Sequence, residues 1–218
     1  MTTVEIKDII ALVLSGVSVV VSAYTFWLVQ FNRGKLQMTR PTYICMKRDT
    51  GPNWPKLFIR TCLYSTGAKG MAVENLFLRV HKDGRSYLFD FWGHTESGHL
   101  TIGSGLFVGP TGTANDHHFN LRGAPDALLY ESGTYMVEIF ATVAGRGNYK
   151  LTEIEFDIRG EQAAELVQIP SRQLDLYWNA DQGRYVGEIR HRESTHPSLL
   201  QPMSSETLAA PSSSDPAR

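Results

Sequence analysis

The stretch from His94 to His118 concentrates side chains that ligate metals or carry protons: His94, His99, His117 and His118, with Glu96 and Asp116 among them. Imidazole nitrogens and carboxylate oxygens both bind divalent transition metals. His94, His99, Asp116 and His117 therefore form a candidate metal set, although their spacing follows no recognised metal motif. His117 and His118 are neighbours, so on an extended strand they face opposite sides and only one of them joins a given site. The set also requires two loops to be brought together. Exposed loop histidines are the plainer state for these residues. On that reading His94, His99, Asp116, His117 and His118 are candidate binding residues on a long recognition loop, Gly93–Phe119.

Other chemistry-bearing patterns are explained more simply as structure. Gly103, Gly105, Gly109 and Gly112 suggest a phosphate cradle, but phosphate loops open a helix, and strand-like Leu106–Val108 follows here. Ser104 lacks the glycines of a nucleophile elbow. Glu153 and Glu155 share one predicted outer strand face, where like charges are a solvated surface. Cys45 and Cys62 lie in strand-like runs with no activating neighbour. They are reduced thiols if the domain is cytoplasmic, and a single disulfide becomes possible if it is exported. No catalytic residue or cofactor is assigned, and the chain reads as a non-enzyme.

The elements that must position these residues alternate with period two. Thr152, Ile154, Phe156 and Ile158 share one face, as do Tyr135, Val137, Ile139 and Ala141, and Leu76, Leu78 and Val80. That is the pattern of half-buried antiparallel strands. Further strands are predicted over Tyr43–Lys47, Leu57–Tyr64, Tyr87–Trp92 and Gly105–Val108, separated by Gly-rich turns such as Asp49-Thr-Gly-Pro and Lys82-Asp-Gly. Tyr87, Phe89 and Phe91 share one strand face, opposite Leu88, Asp90 and Trp92, and Trp54 adds a ring outside the clearest strands. Gly160–Val167 predicts a short helix. Leu174–Trp178 and Arg184–Ile189 predict a C-terminal hairpin, which is expected to cover the outward rings Phe77 and Phe140 with Met136. About seven strands without intervening helices predict a β-sandwich.

Ile9 to Phe31 contains 23 consecutive residues without a charge. As a helix it reaches about 34 Å, enough to cross a bilayer core. A signal peptide would have a basic leader, whereas Glu5, Lys7 and Asp8 precede this run, and Phe26–Val29 carry it past the small residues Ser22 and Ala23. A soluble core helix would show a polar stripe, whereas the polar residues here are small hydroxyls. Lys7 stands alone before the span, while Arg33, Lys35, Arg40, Lys47 and Arg48 follow it. Positive flanks stay inside, which predicts a single pass in the cell (inner) membrane with the C-terminal domain in the cytoplasm.

The expected organisation is a short segment 1–8, a transmembrane helix 9–31, a linker 32–41, a β-sandwich domain 42–193 and a disordered tail 194–218. The tail contains seven Ser and four Pro. With a net charge of −1 and a pI near 6.7, no basic excess argues for nucleic acid as the main partner.

Lys56–Val80 (KLFIRTCLYSTGAKGMAVENLFLRV) followed by Glu131-Ser-Gly-Thr-Tyr-Met-Val-Glu-Ile resembles the strand pair and the Gly-x-Tyr late strand of immunoglobulin-like sandwiches. The Cys…Trp…Cys arrangement of antibody-type domains is absent. The whole layout is similar to uncharacterised bacterial single-pass membrane proteins carrying such a domain, a resemblance that implies a fold and no activity. The expected function is a membrane-anchored interaction or sensing module that binds a protein partner, a second copy or a small ligand through sandwich loops. The alternatives are a metal-dependent enzyme using 94–118 and a structural subunit of a membrane complex. The expected partners are the bilayer and a protein, with no nucleic acid.

Overall fold

A computed structural model describes residues 3–31, 34–48, 55–96, 98–123, 130–169 and 171–191. The turn beginning at Asp49, Trp54 and the tail 194–218 lie outside the described residues.

Helix α1 (Thr3–Gln30) contains the apolar run, and no residue of the span Ile6–Gln30 is buried. A core helix of a soluble domain would bury one side, so that alternative fails. Length and composition fit a membrane span or a signal sequence. Ser18 and Thr25 donate their hydroxyls to Leu14 O and Val21 O at 2.9 and 2.8 Å, which leaves few polar groups for hydrocarbon to accommodate.

The rest of the described chain is mainly β. Its strands are β1 (Leu36–Met38), β2 (Tyr43–Arg48), β3 (Pro55–Ser65), β4 (Met71–Lys82), β5 (Arg85–Glu96), β6 (His99–Ile102), β7 (Leu106–Val108), β8 (Thr113–Leu121), β9 (Gly133–Val143), β10 (Gly147–Ile158), β11 (Arg172–Asn179) and β12 (Arg184–His191), with helix α2 (Gly160–Gln168) before β11. They form one antiparallel sheet in the order β10-β9-β4-β5-β8-β3-β2-β11-β12, with β1 on β3, β6 on β5 and β7 on β4. Strand β1 falls inside the stretch read as a linker, and its Leu36 is buried.

The sheet curls around one core. The inward sets predicted for β4 and β9 are buried, Leu76, Leu78 and Val80 with Tyr135, Val137, Ile139 and Ala141; of the β10 set Ile154, Phe156 and Ile158 are buried and Thr152 is half-buried. From the other half come Ile44, Met46, Leu57, Ile59, Leu174 and Leu176. Helix α2 bridges the two ends of the strand order. Gln162 accepts Arg159 N–H at 2.9 Å just after β10 and donates to Gly187 O of β12 at 2.8 Å, while Ala163 and Leu166 are buried beneath it. Tyr130 closes the far end: its hydroxyl donates to Lys47 O (2.7 Å) and accepts Lys56 N–H (3.0 Å), tying the β2–β3 ends together.

The predicted hairpin is present, but β11 pairs with β2 and so extends the sheet. Phe77 and Phe140 are direct cross-strand partners and cover each other instead, stacked 4.9 Å apart. Beside them Glu138 accepts from Lys150 (2.7 Å) and His81 (3.1 Å) and pairs with Arg79 (3.4 Å). The Lys150 hydrogen bond, then that of His81, holds the Glu138 carboxyl down at about 2.

A folded-state pKa below the ordinary 4.5 gives stability that is complete above about pH 4.5 and lost as pH falls toward 2. Because Lys150 is largely solvent-exposed, the contribution is about 1 kcal/mol. Thermal melts followed by circular dichroism should show Glu138→Gln less stable than the parent chain at pH 7. The difference should vanish near pH 2.

Candidate functional site

The stretch read as a loop, Gly93–Phe119, is largely strand. It comprises the end of β5, then β6, β7 and most of β8. This changes what its histidines can do, because side-chain direction on a strand is fixed by register.

On β8, Asn115, His117, Phe119 and Leu121 point into the curled sheet and are buried. On β5, Phe89 pairs with Leu121 and Phe91 with Phe119, but the next pairing is Gly93 with His118. Trp92 and Gly93 together face one residue, a β-bulge that reverses the alternation. Without it, His94 would follow Leu88, Asp90 and Trp92 onto the outer face. With it, His94 turns inward directly opposite His117. Gly93 is required for a second reason. A Cβ there would lie 2.4 Å from Thr101 O, so only glycine lets β6 pair this closely along β5.

The result is a polar patch on a mostly apolar inner face. His117 is 1 % exposed and His94 9 %. Phe91 lies 6.1 Å from the His117 ring and 6.3 Å from that of His94, and Ile59 on β3 is the cross-strand partner of His117 on its other side. Asn115 faces the buried Thr61, whose hydroxyl donates to Thr39 O at 2.7 Å. His94 Nδ1, both ring nitrogens of His117 and Asn115 Oδ1 are buried without a hydrogen-bond partner among the described residues. Burial, and next the neighbouring His94 and His118, push the His117 pKa down to about 3. At neutral pH its ring is therefore uncharged, with one N–H donor and one acceptor nitrogen. Buried polar atoms are ordinarily hydrogen-bonded, so these four stand out on one stretch of the inner face.

The other predicted site residues lie elsewhere. His118 faces outward, with its Nε2 2.9 Å from Thr95 Oγ1 and its ring against Phe58 (4.4 Å) and Trp92 (6.0 Å). Asp116 also faces outward, 3.8 Å from Arg60 Nε. His99 is exposed on β6, opposite Glu96. Of the candidate metal set, register brings only His94 and His117 side by side. Among the described residues no three His, Cys, Asp or Glu side chains converge as a metal group.

Sequence reasoning missed Asn115 and Thr61. The available signal was parity, since Asn115 and His117 occupy the same alternate positions as Phe119 and Leu121. It also missed the outward surface beside His118, where Lys47 lies over Phe58 (4.1 Å) and Lys56 over Trp92 (4.7 Å).

Both cysteines are free thiols. Cys45 pairs with Phe58, four residues and about 13 Å along β3 from Cys62, too far for a disulfide in either compartment. Burial, with the Asp175 charge second, pushes the Cys45 thiol up to about 12, so it is not an activated nucleophile.

No known protein-family model matches the chain, and no curated protein matches it. The site must be interpreted from its own chemistry.

Gly93→Ala should lower stability by roughly 2 kcal/mol, because the added methyl meets backbone and not a yielding side chain. Hydrogen exchange should show faster exchange across β6 and the end of β5, with the β9–β10 ladder unchanged. Protection retained throughout would show that the close approach of β6 does not depend on glycine.

Proposed function

We propose that this chain is a single-pass membrane-anchored recognition module. In this reading α1 spans the bilayer, the curled β-domain faces the cytoplasm, and the inner patch of His94, Asn115 and His117 holds a small neutral polar ligand. The observation that carries the ligand assignment is the group of four buried polar atoms on one inner-face patch that have no hydrogen-bond partner among the described residues. A domain selected for stability alone gains nothing from them. Each leaves a desolvation penalty on the order of 1–3 kcal/mol that apolar residues would avoid.

The anchor rests on the uncovered apolar span of α1. Orientation rests on the excess of Lys and Arg after the helix. The immunoglobulin-like sandwich is supported by Tyr135 near the start of β9, whose hydroxyl donates to Glu131 O four residues upstream (2.8 Å). That bond resembles the tyrosine corner of such domains. Tethering raises the effective concentration of the domain for partners in the same membrane, a protein partner or a second copy included.

In fractionated cells the intact chain should sediment with membranes and resist extraction by high salt. Protease added outside intact cells should leave the β-domain uncut. Recovery of the full chain, first residues included, in the detergent-free supernatant would remove the anchor.

His117→Leu tests the patch. Filling the site with an apolar side chain should raise stability by about 1 kcal/mol, and Tm by a few degrees. Native mass spectrometry of the detergent-solubilised chain should show a small-molecule adduct that the variant loses. A variant with lower Tm would mean that the imidazole stabilises the fold, contrary to its assignment as a binding group.

A further inference from the structure

Outside α1, the most exposed large apolar side chains among the described residues are Phe107 (72 %) and Ile102 (68 %). Both belong to the short β6–β7 unit appended to β5 and β4. Phe107 pairs with Ala72, and its ring lies over Gly70, where a Cβ would come within 2.3 Å of it. Gly70 adjoins Lys69, whose ammonium donates to the carbonyl and side-chain oxygens of Gln30 (3.3 and 3.0 Å), the last residue of α1. Lys35 is fixed at the same end, donating its N–H to Thr66 Oγ1 at 2.7 Å and accepting Thr66 N–H at 2.9 Å. An exposed ring and two lysines thus surround the point where the apolar helix leaves the domain.

We propose that this end of the domain docks on the bilayer surface, with Phe107 and Ile102 inserted at the headgroup level and Lys35 and Lys69 against anionic lipid headgroups. The proposal rests on α1 spanning the membrane, because only then is this end held at the lipid. Two observations select lipid as the occupant. The patch is continuous with the apolar helix through the Lys69–Gln30 contact. Its chemistry, an aromatic ring and a branched aliphatic flanked by long cationic stems, is that of interfacial anchors. Phe107 would then set the tilt of the curled sheet against the membrane and so the direction in which the His94 side of the domain faces.

The test uses the full chain reconstituted in phosphatidylcholine–phosphatidylglycerol (7:3) vesicles. The photoreactive residue p-benzoylphenylalanine replaces Val17, Ile102, Phe107 or Arg85 in turn. Arg85 lies at the β4–β5 turn, about 36 Å along β4 from Met71, and serves as the distant control. After illumination, mass spectrometry should find lipid adducts at positions 17, 102 and 107, at least tenfold above position 85. Lys35→Glu with Lys69→Glu should cut the yield at 107 several-fold, and an unchanged yield overturns the headgroup assignment. Adducts at 17 with a yield at 107 no higher than at 85 overturn the docking while leaving the anchor intact. No adduct at 17 overturns the spanning helix and the docking with it. In native membranes, a protein adduct at 107 in place of lipid assigns the patch to a protein and overturns the proposal.

Discussion

An antiparallel sheet of this size has a single apolar face, and it can bury that face only by bending it onto itself. Everything inside the curl of β10-β9-β4-β5-β8-β3-β2-β11-β12 follows from that constraint. Leu76, Leu78 and Val80 from one half meet Ile44, Ile59 and Leu174 from the other in a continuous core. Helix α2 and Tyr130 then cover places where strands alone leave gaps. Both do so through hydrogen bonds to backbone groups, Gln162 to Gly187 O and Tyr130 to the β2–β3 ends, so no backbone pairing has to be sacrificed.

Within that mostly apolar interior, His94, Asn115 and His117 form a polar patch whose pairing depends on a single extra residue. The bulge at Trp92–Gly93 inverts the parity of β5 for its last residues, which brings His94 beside His117 and turns Trp92 toward His118 outside. One irregularity therefore creates two surfaces. The inner one has buried polar atoms without a hydrogen-bond partner among the described residues, and the outer one has rings with lysines above them. Local departures from regular pairing commonly mark function, because the regular sheet offers no gain in stability for them.

The helix and the domain place their apolar side chains differently. No residue of the span Ile6–Gln30 is buried, while the domain turns its apolar side chains inward and carries pairs such as Glu138 with Lys150 on its outside. Where the two meet, at Gln30 and Lys69, lies Phe107 over Gly70, the most exposed aromatic ring among the domain's described residues.

Much of this was legible in the residues. The uncharged run Ile9–Phe31 defined α1, and strict alternation defined β4, β9 and β10 with their inward sets, because each strand has one clearly apolar face. Strand β8 was not legible, since Thr-Ala-Asn-Asp-His-His places polar residues on both faces. Strand β6 has only four residues, all exposed. The site was half visible: its histidines stood out by type, but which of them meet did not. Sequence alone determined an apolar rod and a β-domain, because hydropathy and period are local properties of the chain. Tertiary structure alone decided that His94 faces His117 while Asp116 and His118 face outward. That outcome depends on one bulge and on the register between strands β5 and β8, which only the neighbouring backbone fixes.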